Sequence, residues 1–357
     1  MFSTLANHPH SARKRHLSNI YSKSTILSSS PLQFQSASII HTRLLPALFA
    51  AMDSPEPGVI NIYNLFSATT MDIVSGYIFG LSSGTNFLQS PDTLAWFLHV
   101  YRCRHGFSFF PQELPGLTAM MPRWVREKIV PKFVDEANGE IEEWIVGMCE
   151  KAGKVVRRRE RGEEVSEKDV PVVYAQLLAG LERERKKNGK DNDNMEMTKV
   201  VASELMDQLT AGFDTSGIVL TYVVHELCRH PSVQKALHTE LLTLSPPVVP
   251  SSHPKLPDAK AVDNLPLLHA VIWETLRLHP AIPGPQPRVT PTAGCRLGPE
   301  GNSYWIPGGV RVSASAGLLH ANEDVFERAD EWRPERWLEG EKGDERKEMD
   351  RWFWAFG

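Results

Sequence analysis

The sequence predicts a mainly α-helical protein with a small β region late in the chain, an α+β fold. Long stretches with apolar residues at helical spacing run between residues 60 and 278, and charge-dense helical stretches lie around 151–193. Only after Pro280 do Gly/Pro turns alternate with short β-prone runs, such as "YWIPGGVRVSAS" from Tyr304 to Ser315. No internal repeat of fixed period is visible, which disfavours a solenoid or a propeller. With 357 residues, 41% hydrophobic and 23% charged, the chain can bury one large core or two modest ones.

The elements follow in order. Residues 60–80, "INIYNLFSATTMDIVSGYIFG", read as a mostly apolar, buried helix. The aromatic stretch 96–110, "WFLHVYRCRHGFSFF", either lines an apolar cavity or packs in the core, and both readings are open. The alternating charges of 151–193 mark a solvated helix face and a connection. Met197 to His230 is helical throughout, and from about Leu205 to Leu227 it is apolar nearly all round, as a helix crossing a large core should be. Pro231 opens a second helix, and 245–260, "SPPVVPSSHPKLPDAK", is a Pro/Ser loop. Asp263 or Asn264 is expected to cap the next helix, whose apolar face is Leu268, Val271, Ile272 and Leu276 and which stops before Pro280.

Composition excludes several functions. A net charge of −4 gives no basic field that would draw the chain to nucleic acid. The four cysteines, Cys103, Cys149, Cys228 and Cys295, are widely spaced, without zinc spacing, and read as reduced thiols. No run approaches the roughly 18 to 20 apolar residues of a membrane-spanning helix. The Ser-rich start carries Arg13, Lys14, Arg15, Lys23 and Arg43 with no acid before Asp53, a composition that mimics an organellar transit peptide.

Three motifs carry chemistry. In "AGFDTSG", Ala211–Gly217, Gly212 costs about 1 kcal/mol relative to Ala in a helix interior, and Asp214, Thr215 and Ser216 are polar within apolar flanks. Missing bulk at Gly212 either admits a ligand or allows close helix packing around small residues with a satisfied Asp. The Thr215 hydroxyl can bond the carbonyl four residues back, and an acid beside it makes a proton-delivery pair. In "ETLRLHP", Glu274 and Arg277 lie three apart, on one helix face, where they can form a bidentate ion pair. In "EWRPERW", Arg336 is available as a third partner, and a carboxylate shared by two guanidiniums would fix geometry more than it adds stability.

In this order the three motifs resemble the cytochrome P450 family, the haem-thiolate monooxygenases: "AGFDTSG" is similar to its oxygen-activation signature, "ETLR" to its Glu-x-x-Arg, and "PERW" to the segment completing a Glu-Arg-Arg triad. "LRLHPAIPGPQPRVTP" and "IPGGVRVSASAGLLHANEDVF" agree, and the opening "HSARKRHLSNIYSKS" resembles the family's propionate-binding helix in its filamentous-fungal form, which displaces the transit-peptide reading. The resemblance implies haem as cofactor and a single, partial P450 domain over residues 1–357, beginning at the propionate helix. It implies that Thr215 hydrogen-bonds iron-bound oxygen and that Asp214 relays protons for O–O cleavage. Ala211 and Gly212 would leave room above the haem plane, His10, Lys14 and Arg288 would pair with its propionates, and Glu274, Arg277 and Arg336 would form the structural triad. Lys14 stands where Arg is more usual, and His320 matches a position near the haem that a satisfied core histidine fits equally.

The implied activity is insertion of one atom of dioxygen into a small apolar substrate, with electrons from NADPH through a cytochrome P450 reductase. The full-length relative would sit at the endoplasmic reticulum membrane, while this chain shows no anchor. The family's iron ligand is the cysteine of Phe-x-x-Gly-x-Arg-x-Cys-x-Gly. The terminal "RWFWAFG" resembles the approach to that loop, with Phe356 and Gly357 as its first two residues, and none of the four cysteines has that context. The axial ligand is therefore expected to be absent from these residues. A catalytically inactive fragment stands beside the enzyme as the second reading.

Overall fold

Apolar spacing and the positions of proline set most helix starts. The computed structural model describes residue 17 and residues 19–52, 59–105, 107, 109–110, 114–187, 194–250, 254–299, 301–338 and 343–356. Helices α1 (Lys23–Ser28), α2 (Ser30–Ile39) and α3 (Leu45–Met52) open the described chain, with a π turn at Ile40–Leu44 joining the last two. Then come α4 (Ile62–Phe79), α5 (Pro91–His105), α6 (Pro115–Met120), α7 (Arg123–Ile129), α8 (Lys132–Glu160) and α9 (Val172–Lys187). The long helix α10 (Asn194–Arg229) is followed by α11 (Pro231–Leu241), α12 (Ala259–Asp263) and α13 (Pro266–Leu278).

The β region lies where the Gly/Pro turns place it. Strand β1 (Pro285–Val289) pairs antiparallel with β4 (Arg311–Ser315), and β2 (Cys295–Leu297) with β3 (Tyr304–Ile306). Helix α14 (Ala316–His320), a 3-10 turn at Pro334–Trp337 and α15 (Asp344–Trp352) close the described chain. The protein is mostly helical with a small β region, as expected. Among the described residues no helix is long and apolar enough to cross a membrane.

The main core forms where α10 lies against α4. Met71, Ile78 and Phe79 of α4 pack with Leu205, Leu209 and Phe213 of α10, and Phe97 of α5 and Ile145 of α8 close the cluster. Burying a side chain of this size contributes about 1.5–3 kcal/mol. Close approach needs small residues at the crossing: a Cβ on Gly217 would meet Ser67 Oγ at 3.2 Å. The aromatic stretch divides between its two readings. Phe97 and Tyr101 pack edge-on against Phe213 in the core, whereas Leu98, Arg102 and Phe107 line a cavity of about 500 Å³ with Phe133.

The buried Asp72 of α4 ties three segments together. Its carboxylate accepts from Arg43 Nη1 (3.1 Å), Thr85 Oγ1 (2.7 Å) and the amides of Phe87 (2.7 Å) and Leu88 (3.3 Å). The sequence offered no signal for this group, because its partners are local loop amides and a cation 29 residues away.

One expectation is corrected. Neither Asp263 nor Asn264 caps α13. Its N-cap position is Leu265, which has no side-chain acceptor, and Pro266 at the first turn has no N–H to satisfy. The open amides of Leu267 and Leu268 instead donate to the Glu240 carboxylate at the end of α11, each at 2.8 Å. Asp263 closes α12, and the side chain that caps α12 is Asp258, which accepts from Ala261 N. An acceptor carried in from another helix satisfies the same orphan donors as a local cap.

Candidate functional site

The two chemistry-bearing regions lie on different helices. On α13, the separation of three puts Glu274 and Arg277 side by side, both essentially unexposed. Arg277 Nε and Nη2 donate to the two oxygens of Glu274 at 2.9 and 2.8 Å, the bidentate pair expected from sequence. Arg336, carried in by the 3-10 turn, donates from Nε to Glu274 Oε1 at 3.0 Å. Two further donors complete the carboxylate: Trp337 Nε1 at 2.8 Å and the Arg333 amide at 2.9 Å. The rest of the Arg277 guanidinium donates to the carbonyls of His320, Ala329 and Glu331.

Buried charges are tolerated when every polar atom finds a partner, and here they do. Burial lowers the proton affinity of the Arg336 guanidinium, with the Glu274 charge opposing. The triad therefore fixes how α13 meets the segment 327–337. Trp337 and the Arg333 amide had no sequence signal, since a backbone N–H is anonymous and an indole signals packing first.

His320 belongs to the same assembly. Its Nδ1 donates to Arg277 O at 2.8 Å, and its Nε2 accepts from the Trp354 amide at 2.7 Å. That pattern requires a neutral ring with the proton on Nδ1. Burial and, secondarily, the Arg277 charge pull its pKa down to about 4. The ring stacks on Phe353, which also stacks on Trp273 and meets Trp337 edge-on. Of the two readings left open, the geometry is that of a satisfied core histidine, and it holds the segment 352–354 against the triad.

The second region is the middle of α10. Thr215 Oγ1 donates to Ala211 O at 2.7 Å, the hydrogen bond four residues back that the sequence allowed. Ala211 is exposed and Thr215 half-buried, so this turn presents a small-residue face. Gly212 looks the other way. A Cβ there would meet Val74 Cγ2 of α4 at 2.9 Å, so its missing bulk serves close helix packing. The room that the sequence reading assigned to Gly212 on the ligand side is, in the structure, occupied by Val74.

Asp214 is half-buried, and its carboxylate is turned toward α4 and α5. Tyr63 donates to Oδ1 at 3.2 Å and Tyr101 to Oδ2 at 3.4 Å. No hydrogen bond joins Asp214 to Thr215. The proton of the Tyr63 phenol is held more tightly than usual, first by burial and then by the Asp214 charge. Neither tyrosine was legible as a partner, being 151 and 113 residues from Asp214 in the chain.

Arg288 lies exposed on β1, where its Nη1 reaches only the carbonyl of Pro287, and no carboxylate pairs with it among the described residues. His10 and Lys14 fall outside the described residues. Among the described residues no group of three or more His, Cys, Asp or Glu side chains is gathered to hold a metal ion.

Comparison with known proteins bears on this geometry. A family model described as cytochrome P450 matches residues 5–357. Cytochrome P450 monooxygenase hkm5 of Aspergillus hancockii is 27% identical over 351 residues, covering 96% of this chain and 60% of the relative. Cytochrome P450 monooxygenase avaI of Aspergillus versicolor is 27% identical over 359 residues, 98% of this chain and 75% of the relative. Cytochrome P450 monooxygenase phqM of Penicillium fellutanum is 29% identical over 307 residues, 83% of this chain and 51% of the relative. The matched region thus spans between about half and three quarters of each relative's length.

Proposed function

The chain belongs to the cytochrome P450 family, and from that premise we propose that it carries the oxygen-activating helix and the structural triad of a haem monooxygenase acting on a small apolar substrate. The observation that carries the reading is the α10 turn: Thr215 bonded to Ala211 O on a face of small side chains, with Asp214 next in the chain. Haem, when bound, supplies the reductive activation of dioxygen and the insertion of one of its atoms.

The residues present fit such a group at two points. Ala211 and Thr215 form a face with little bulk, and Arg288 is a cation with no carboxylate partner among the described residues, suited to a propionate. His10 and Lys14 would complete the propionate contacts by the resemblance. The Thr215 hydroxyl donates to Ala211 O, so it offers lone pairs outward and donates elsewhere only when that bond opens. Asp214 would relay a proton taken up from solvent to restore it, general acid work in a pocket with little water. NADPH through a flavoprotein reductase would provide the electrons, and the endoplasmic reticulum membrane is the compartment that the family suggests.

A second reading, a chain without catalysis, stands beside the first, and the cysteines are the residues on which the two differ. Cys149 is enclosed in the core with its thiol pushed up to about 12, first by burial and then by Glu150. Cys228 is exposed near the end of α10, Cys295 is in β2, and Cys103 sits beside His99 on α5. By the resemblance, none of the four carries the Phe/Gly-rich loop context expected of the thiolate ligand that this chemistry needs.

Two measurements test the readings. Residues 1–357 mixed with haem, reduced and exposed to carbon monoxide should lack the thiolate-type spectrum; observing it would assign the ligand to one of these four cysteines. In a haem-loaded, substrate-turning protein, Thr215→Ala should divert electrons from product to peroxide. Unchanged coupling would remove Thr215 from the mechanism.

A further inference from the structure

We propose that Tyr63 and Tyr101 are positioning residues for Asp214: two phenols, from α4 and α5, clamp its carboxylate on the buried side of α10 and hold it in one orientation, turned away from Thr215. The proposal rests on the monooxygenase reading for its consequence, while the clamp itself is a matter of geometry.

The phenols take one carboxylate oxygen each, at 3.2 and 3.4 Å, and among the described residues they are the hydrogen-bond donors that Asp214 has. They arrive from two different helices. Tyr101 is fixed by stacking on Phe97 and by edge contact with Phe213, so its hydroxyl cannot drift with solvent. Tyr63 sits one turn from Ser67, whose Oγ is buried against Gly217 and eases the hold on the Tyr63 proton. A polar seam therefore crosses the α4–α10 interface inside an otherwise apolar contact. Arg102, next to Tyr101, supplies the positive charge that acts on Tyr63.

Two hydrogen bonds arriving from different helices on one short side chain restrict both of its torsions. Asp214 and Thr215 are consecutive on the helix, so their side chains diverge by about 100°. For the carboxyl to serve Thr215, at least one phenol bond must break. The clamp thus sets when the acid is released, and it keeps an unpaired carboxylate from drawing water into the helix interface between turnovers.

The test has one arm that needs no turnover. Ultraviolet resonance Raman spectra of the tyrosines report whether a phenol O–H donates. Asp214→Ala should remove a donor signature that is already absent in the Tyr63→Phe/Tyr101→Phe double variant; identical spectra for wild type and Asp214→Ala would overturn the clamp. In the haem-loaded protein, the double Phe variant should lower the product-to-peroxide ratio roughly tenfold with KM little changed, as water enters the helix interface, a smaller effect than the roughly 10²–10⁴-fold that a positioned proton donor contributes. If Thr215→Ala uncouples turnover but the double variant does not, the clamp is wrong and the function reading stands. If Thr215→Ala has no effect, the function reading falls, and the spectra alone decide the clamp.

Discussion

The triad on α13 and the turn on α10 both place polar groups in a helix surrounded by apolar residues, and they treat them in opposite ways. Glu274 has no exposure and accepts five hydrogen bonds from Arg277, Arg333, Arg336 and Trp337. Asp214 is half-exposed and accepts two long ones from phenols, while Thr215 makes a single bond to its own helix. The first arrangement is over-determined and can change only by collapsing. The second is held by two long bonds that can open one at a time, so a proton and a torsion can move once a phenol lets go, which is what chemistry requires of a residue and a scaffold forbids.

The largest effect should come from breaking the over-determined side. Glu274→Gln leaves two buried guanidiniums without their counter-charge, a loss of about 3–5 kcal/mol or failure to fold, read by chemical denaturation. A variant as stable as wild type would mean that the triad is not holding α13 to the segment 327–337.

Acid should sharpen the contrast next. His320 is neutral when folded, with a pKa of about 4 against an ordinary 6.5. Between those values the unfolded chain binds the proton and the folded one does not, so stability falls as pH drops from about 6.5 toward 4. The loss reaches about 3 kcal/mol at most, at about 1.4 kcal/mol per unit. His320→Gln, which can still donate to Arg277 O and accept from Trp354, should show a flatter stability profile across that window. An unchanged slope would place the acid sensitivity elsewhere.

The smallest effect belongs to the other region. Thr215→Ala removes one intrahelical side-chain bond at a half-buried site and should change unfolding free energy by no more than about 0.5 kcal/mol, whatever it does to turnover. A loss several times larger would make Thr215 a structural residue and dissolve the comparison.

The sequence made the near-neighbour chemistry legible. A spacing of three predicts the Glu274–Arg277 pair, and a spacing of four predicts Thr215 on Ala211, because helix geometry fixes both. What crosses between elements was hidden, Arg336 excepted, whose motif resembles the segment that completes the triad. Tyr63 and Tyr101 reach Asp214 from other helices, and nothing in an isolated tyrosine marks it as a clamp. Gly212 was ambiguous because a missing side chain looks the same whether a ligand or Val74 fills the space. His320 was ambiguous for the complementary reason: its partners are two backbone groups, which carry no residue identity. The cap of α13 was misassigned because local acids are the usual source, and here Glu240 reaches in from 27 residues away.

That borrowed cap has a consequence for how the protein tolerates change. Because Glu240 lies before the connection and Leu267 after it, the start of α13 depends on two helices meeting. A change in the connection should spare that start as long as the carboxylate still reaches the two amides, while the connection is itself held where the carbonyls of Val249 and Lys255 meet the buried His41 at 2.7 and 3.0 Å.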